Sequence, residues 1–238
     1  MLRLLTLFLL FAFSPILSAN VSPRKFFENT EILPSVSEVD LLSTFILEKL
    51  ENPSIAPQPE VLEMAVSGYL NLVKEGKIAK GSPLSVIDFS LPSSKERLWI
   101  FDIDEGLLLY HSLVSHGRNS GDLFAKSFSN INSSYMSSLG FYVTGETYQG
   151  KHGYSLRLDG VEKGFNDRAR ERAIVIHGAD YANKDFVKTT GRLGRSLGCP
   201  ALPMDIYKDV INTIKEGSCL FIYGQDDSYL SQSQLLNT

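Results

Sequence analysis

The chain has 238 residues, 43% of them hydrophobic and 11% aromatic, with 23 Lys and Arg against 27 Asp and Glu for a formal net charge of −4. That apolar content supports a well-buried core and excludes general disorder. The acidic balance, with basic residues scattered along the chain, argues against a nucleic-acid partner.

Residues 1–19 read as an export leader. Arg3 supplies a positive start, residues 4–13 are apolar apart from Thr6, Ser14-Pro15 breaks the run, and Leu17-Ser18-Ala19 ends on a small residue suited to cleavage. The run is short for a membrane span, and no later segment reaches spanning length, so no integral membrane segment is expected after leader removal. No cysteine follows it, which argues against a lipid anchor. A periplasmic or other extracytoplasmic location is expected.

Residues 20–80 are expected to form a helical extension packed on the core. Val39, Leu42, Phe45, Ile46 and Leu50 share one helical face, and Leu62, Ala65, Val66, Tyr69, Leu70 and Val73 share another. A proline-rich linker over 52–59 separates them. From 81 to 225 the texture changes to short apolar or alternating runs punctuated by glycine, which read as a mainly β domain. Residues 203–215 then place Ile206, Val210, Ile211 and Ile214 on one helical face, closed by Gly217. The polar stretch 226–238 is expected to be a loose tail.

Chemistry concentrates between His177 and Cys199. The run Ala173-Ile174-Val175-Ile176 reads as a buried strand that delivers His177 to a loop, and Cys199 lies between Gly198 and Pro200. Glycine admits close approach and proline fixes the following φ, so this cysteine is held and reachable. A thiolate nucleophile with a histidine base is the chemistry indicated. The second cysteine, Cys219, sits in the apolar run Ser218-Cys219-Leu220-Phe221 and reads as a core residue rather than a disulfide partner. No HxxxH or CxxC spacing occurs, so neither a metal nor another cofactor is expected. The acidic turn Asp102-Ile103-Asp104-Glu105 lacks a full Ca²⁺-loop pattern.

The spaced pattern H-G-x17-S-x-G-C resembles the signature of the L,D-transpeptidase (YkuD-like) catalytic domain. The flanks VSHGRNSG, FSN, SSLGFYVTGETYQGKHGYSLRLDG and GRLGRSLGCPALP are similar to its murein L,D-transpeptidase-like branch, and the likeness runs over residues 57–223. The resemblance implies an L,D-transpeptidase-type β-sandwich or barrel-like catalytic domain with N-terminal helices and one C-terminal helix, α+β overall. It implies Cys199 as nucleophile, His177 as base, and a backbone carbonyl such as that of Gly178 as the group orienting His177, with Asp180 as the side-chain rival. Backbone N–H groups around Gly198 and Cys199 would meet the oxyanion, and Ser196 would fix the loop.

Tyr154 would line the cleft, His116 or His152 would be a second active-site histidine, and Arg192 and Arg195 would pair with a substrate carboxylate. Plain packing, exposed turn histidines and solvated loop charges are the respective alternatives. Many relatives carry His or Arg where this chain has Leu197, and Pro200-Ala201 also departs from their Ile/Val-Arg pattern. The implied substrate is a peptidoglycan stem peptide, joined to a second stem in transpeptidation or to a protein lysine; an L,D-carboxypeptidase or other murein peptide hydrolase on the same site is the alternative. A non-catalytic wall-binding module on the same fold is the alternative from a different class.

Overall fold

A computed structural model of the protein describes residues 37–237. The expected leader, 1–19, and the start of the extension lie outside the described residues. The first helix, α1 (Glu38–Glu48), opens with a capping box in which the Ser37 hydroxyl accepts from the Asp40 N–H and the Asp40 carboxylate accepts from the Ser37 N–H. A short 3-10 turn at Pro53–Ile55 leads into α2 (Pro59–Lys74), whose buried stripe is Val61, Leu62, Ala65, Val66, Tyr69 and Leu72. The 3-10 turn is tied to the sheet, because the Trp99 indole N–H donates to the Ile55 carbonyl at 2.6 Å.

Eight strands follow: β1 (Leu84–Asp88), β2 (Leu98–Asp102), β3 (Leu107–Ser112), β4 (Gly140–Gly150), β5 (Gly153–Gly160), β6 (Val175–Gly178), β7 (Ala201–Leu202) and β8 (Cys219–Tyr223). They form one mixed sheet in the order β3-β2-β1-β8-β4-β5-β6-β7. The β1–β8 and β6–β7 pairs are parallel and the remaining neighbours antiparallel. The two ends of the sheet meet just beyond β3, where the Ser115 N–H donates to the Ala201 carbonyl on β7 at 2.9 Å. This makes the sheet nearly barrel-like, and the fold is mainly β with a few helices.

Helix α2 packs on β1 and β8. Gly68 makes that approach possible, since a Cβ there would fall 2.0 Å from the Phe141 ring. The Phe141 ring stacks on Phe221 at 4.3 Å between centroids. Leu84 and Val86 of β1 share that face of the sheet, and all four side chains are fully buried. Among the described residues no helix is long and apolar enough to cross a membrane.

The sequence suggested one helix late in the chain, and the structure has three. The helix α3 (Lys184–Thr190) has no buried residue and so carried no apolar stripe to reveal it. It rests on local chemistry, with Asn183 capping the Phe186 N–H at one end and the left-handed Gly191 closing the other. The expected helix over 203–215 is α4 (Tyr207–Ile214), which buries Tyr207, Val210, Ile211 and Ile214.

The tail is ordered rather than loose. Residues Asp227–Gln232 form α5, with Tyr229 fully buried. The Tyr229 hydroxyl and the Phe141 N–H donate to one oxygen of the Glu162 carboxylate, at 3.0 and 2.7 Å, and the Ser233 hydroxyl donates to the other. A buried carboxylate must have its lone pairs met by donors, and the tail supplies two of them. Deleting residues 226–238 is therefore expected to destabilise the fold by at least ~2 kcal/mol, the worth of one buried aromatic side chain. Chemical denaturation of the two proteins checks this, and equal midpoints would show that α5 does not support the core.

Candidate active site

β6 is four residues long and buried throughout. Its alternating Val175, Ile176 and His177 are fixed from both sides: Ser155 of β5 lies opposite His177 in the antiparallel ladder, and Ala201 of β7 lies opposite it in the parallel one. The His177 N–H points to the Pro200 carbonyl at 3.4 Å. The loop that separates His177 from Cys199 in sequence is thus folded back so that the two residues lie at the ends of adjoining strands.

The His177 ring is 2% exposed as a residue, and its Nδ1 lies 2.9 Å from the Gly178 carbonyl oxygen. A carbonyl only accepts, so Nδ1 carries the proton and Nε2 keeps its lone pair. Asp180 is exposed and makes no contact of this kind. Burial holds His177 below the usual histidine range, the bond to Gly178 opposes that, and the neighbouring His152 adds to it. His152, exposed on the β4–β5 turn, stacks on His177 with centroids 4.3 Å apart and planes 20° from parallel.

Cys199 rides on a turn built by Ser196. The Ser196 hydroxyl accepts from the Gly198 N–H at 3.0 Å and donates to the Cys199 carbonyl at 2.6 Å. The Gly198 N–H is thereby already taken, which leaves the Cys199 N–H as the turn's own donor toward an oxyanion. Gly198 has φ +125°, and a Cβ there would lie 2.9 Å from the Met136 carbonyl oxygen and 3.0 Å from Ile174 Cδ1. The Ser137 hydroxyl accepts from the Gly117 N–H at 3.0 Å and reaches the Gly198 carbonyl at 3.3 Å. The Cys199 thiol lies 3.6 Å from the Ala173 carbonyl, just ahead of β6. Burial pushes the thiol up, while a Val175 backbone N–H and the charge of Arg172 pull the other way. Neutral thiol and neutral imidazole are the resting forms that these environments favour. Cys219, by contrast, is fully buried on β8 and, like Cys199, a free thiol.

The other sequence-derived residues fall in several places. Gly178 lets α4 close over the strand, since a Cβ there would lie 2.7 Å from the Tyr207 ring. The Tyr154 hydroxyl is committed to α4, donating to Asn212 at 2.8 Å. Arg192 and Arg195 both meet Asp122, at 2.7 and 3.2 Å, and Arg195 also donates to the Gly121 carbonyl at 2.9 Å. These pairs fasten the loop after α3 to the 118–122 loop. His116 is buried, and its Nδ1 accepts from Arg97 Nη2 at 2.8 Å. Burial and that guanidinium hold His116 near a pKa of about 4, and burial lowers Arg97 to about 9. His116 touches the Cys199 turn through its backbone, where its carbonyl accepts from the Ser196 N–H at 3.0 Å. Leu197 is 56% exposed beside Cys199 and so is not a core residue.

Sequence reasoning missed Ser137, Asp122 and Arg172. None carries a spacing signal, because each acts on parts of the site that are distant along the chain. Among the described residues no group of three or more His, Cys, Asp or Glu side chains is arranged to hold a metal ion.

The turn makes a specific demand on residue 198. Gly198→Ala places a Cβ against backbone and imposes a left-handed conformation on a residue that resists it, so a loss of about 1–3 kcal/mol is expected. Denaturant titration measures it. A Gly198→Ala protein as stable as the parent would mean that the turn is not fixed by this backbone geometry.

Comparison with known proteins bears on this site. The chain is similar to a solved L,D-transpeptidase from Mycobacterium smegmatis, at 12% identity over 59% of this chain and 58% of that one, with a TM-score of 0.37. It is similar to the helical cell shape determining protein Pgp2 from Campylobacter jejuni, at 10% identity over 68% of this chain and 57% of that one, with a TM-score of 0.41. An L,D-transpeptidase (Yku) from Stackebrandtia nassauensis is 12% identical over 79% of this chain and 78% of that one, with a TM-score of 0.37. The chain thus spans about 58% of the length of the mycobacterial structure. No curated protein sequence matches it. The family model for the YkuD_2 L,D-transpeptidase catalytic domain matches residues 54–223, a span that runs from the 3-10 turn before α2 to the last residue of β8 and takes in both His177 and Cys199. On that match the chain belongs to the L,D-transpeptidase catalytic domain family.

Proposed function

We propose that the protein is an exported cysteine acyltransferase, an L,D-transpeptidase acting on peptidoglycan stem peptides through a Cys199 thioester with His177 as base. The observation that carries this reading is the His177 tautomer. With Nδ1–H spent on the Gly178 carbonyl, Nε2 is a base, at the end of the strand that pairs with the segment leaving Cys199.

In the proposed reaction Nε2 takes the proton of the thiol as sulfur attacks the carbonyl of the L-centred branch of meso-diaminopimelate. The Cys199 N–H faces the developing oxyanion. Collapse of the tetrahedral intermediate breaks the bond to the terminal D-alanine, whose nitrogen receives the proton from the imidazolium. The side-chain amine of a second stem then attacks the thioester, loses a proton to Nε2, and leaves a 3→3 cross-link with the thiol restored. Water in place of the amine would make the protein an L,D-carboxypeptidase. The leader read from residues 1–19 supports delivery to the compartment where such stems occur.

Mass analysis of purified muropeptides after incubation tests the reading. A cross-linked dimer lighter by one D-alanine is expected. A tripeptide alone would assign hydrolysis, and unchanged stems with no covalent adduct would assign a binding module.

In the same assay Cys199→Ser is expected to form no acyl-enzyme, and His177→Ala to lose roughly 10²–10⁴-fold in turnover, the usual worth of general acid–base help. An adduct on Cys219, or full turnover in a folded His177→Ala protein, would overturn the assignment. The pH profile has a definite sign. Burial lowers the His177 pKa, so its neutral, basic form persists below the usual histidine midpoint of ~6.5, and the acid limb of kcat/KM should fall on the acid side of that value. An acid limb at or above it would mean that another group, or a charged His177, governs the reaction.

A further inference from the structure

Behind the nucleophile turn lies an arginine that the proposed reaction leaves without a role. Arg172 sits just ahead of β6, and its guanidinium gathers the 129–138 loop. Its Nη1 donates to the Ser129 carbonyl at 2.7 Å and to the Ser138 hydroxyl. Its Nη2 donates to the Met136 carbonyl at 2.7 Å and the Ser134 hydroxyl at 3.2 Å. Its Nε is buried with no partner, an arrangement that is unfavourable unless something else about the placement compensates.

That loop needs a clamp, because Ser133 and Tyr135 both lie in the left-handed region at φ 59° and 56°. The loop in turn backs the nucleophile. The Met136 carbonyl that Arg172 holds is the atom nearest to a Cβ on Gly198, and Arg172 Nη2 itself would be 3.5 Å from that Cβ. Ala173, the next residue, is also left-handed at φ 52° and presents its carbonyl to the Cys199 sulfur. A non-glycine residue in that conformation costs on the order of 1 kcal/mol, and strain of this kind gathers where a functional group has to be aimed.

We propose that Arg172 is a positioning residue of this site: its guanidinium holds the 129–138 loop behind Gly198 and supplies the positive charge that favours the Cys199 thiolate. The functional meaning rests on Cys199 being the nucleophile; the electrostatic claim does not. Arginine suits the position because it stays charged when partly buried and its planar fork meets several acceptors at once. Burial is the largest influence on both groups, raising the Cys199 pKa and lowering that of Arg172; against it Arg172 lowers the Cys199 pKa, and Tyr142 and then Cys199 raise that of Arg172, while Arg168 lowers it. Arg172 is the charged neighbour that acts on the thiol. Tyr181 is pushed up to about 12, by burial and then by Cys199. His177 is held neutral by burial, and His152 lies against His177. Leu197 adds no charge.

The test is the pH dependence of Cys199 alkylation by iodoacetamide, mapped by peptide mass, in the full-length protein and in Arg172→Met and Arg172→Lys. Loss of a nearby opposite charge moves a thiol by about one pKa unit or more, so Arg172→Met should alkylate about tenfold more slowly at neutral pH. Arg172→Lys keeps the charge and should retain the parent's pH profile even where it melts earlier. A folded Arg172→Met protein with an unchanged profile would overturn the proposal. So would an Arg172→Lys profile displaced as far as that of Arg172→Met, since that would leave only a structural role.

If Arg172→Met does not fold, the parent protein supplies the measurement. Anionic iodoacetate should react faster relative to neutral iodoacetamide than it does with a small free thiol, and the excess should shrink with added salt. No excess would overturn the proposal. Cys199 could pass these tests and still never be acylated by a stem peptide, in which case the catalytic reading fails and this one stands.

Discussion

The parallel pairing of β6 with β7 is the constraint on which the site depends. It comprises two residue pairs, His177 with Ala201 and Gly178 with Leu202, and joins the strand that ends in the histidine to the segment that leaves the cysteine. So short a ladder has little stability of its own. It is held by what surrounds it. Ser115 closes onto Ala201 from the far end of the sheet, and the Ala179 N–H extends the ladder to the Leu202 carbonyl at 2.9 Å. Ala179, Ala182 and Ala201 then form a small buried cluster covered by Tyr181. The loop between the two strands is itself fastened, by the Gly194 N–H on the Tyr181 carbonyl at 2.9 Å and by the two arginines on Asp122. The thiol and the imidazole therefore take their places from the closure of the whole sheet, not from the loop that connects them.

Burial, more than ion pairing, sets the electrostatics. The most conspicuous ion pairs lie on the surface of β4 and β5, where Arg170 and Arg157 meet Glu146 and Arg170 also meets Asp159. Solvent weakens such pairs, and they contribute little to stability. The groups that matter chemically are half-buried or buried: His177 and Cys199 are both driven toward their neutral forms by desolvation. Neutral partners are compatible with an enclosed site, because two unpaired charges there would be expensive. In the proposed reaction proton transfer would be deferred to the moment of attack, when the charge has a substrate to meet it.

The buried polar groups beyond the site follow one logic. Arg97, Glu162 and Arg172 each lie against backbone carbonyls, backbone N–H groups or hydroxyls drawn from distant parts of the chain. Each substitutes for regular secondary structure where a loop must be held against the sheet. Glu162 fixes the C-terminal helix, Arg97 fixes the approach to His116, and Arg172 fixes the loop behind Gly198.

The sequence by itself determined the β texture from residue 81 onward, the apolar faces of α1, α2 and α4, and the pairing of interest in His177 and Cys199. These are legible because their causes are local: a periodicity of apolar residues, a glycine beside a cysteine, a strand run that ends on a histidine. The family resemblance rested on the same local pattern. What the tertiary structure decided is every feature whose cause lies far along the chain. The tail looked loose because only two of its residues are deeply buried hydrophobics, Tyr229 and Leu235, and the carboxylate that anchors it is Glu162. Helix α3 was invisible because it buries nothing. His116 and His152 look alike in sequence, each followed by glycine. Only the fold places one against a buried arginine and the other over the His177 ring. The physical reason is common to all of them. A side chain's acidity, charge state and hydrogen-bond partners depend on what desolvates it, and here the desolvating atoms come from strands and loops that the chain order keeps apart.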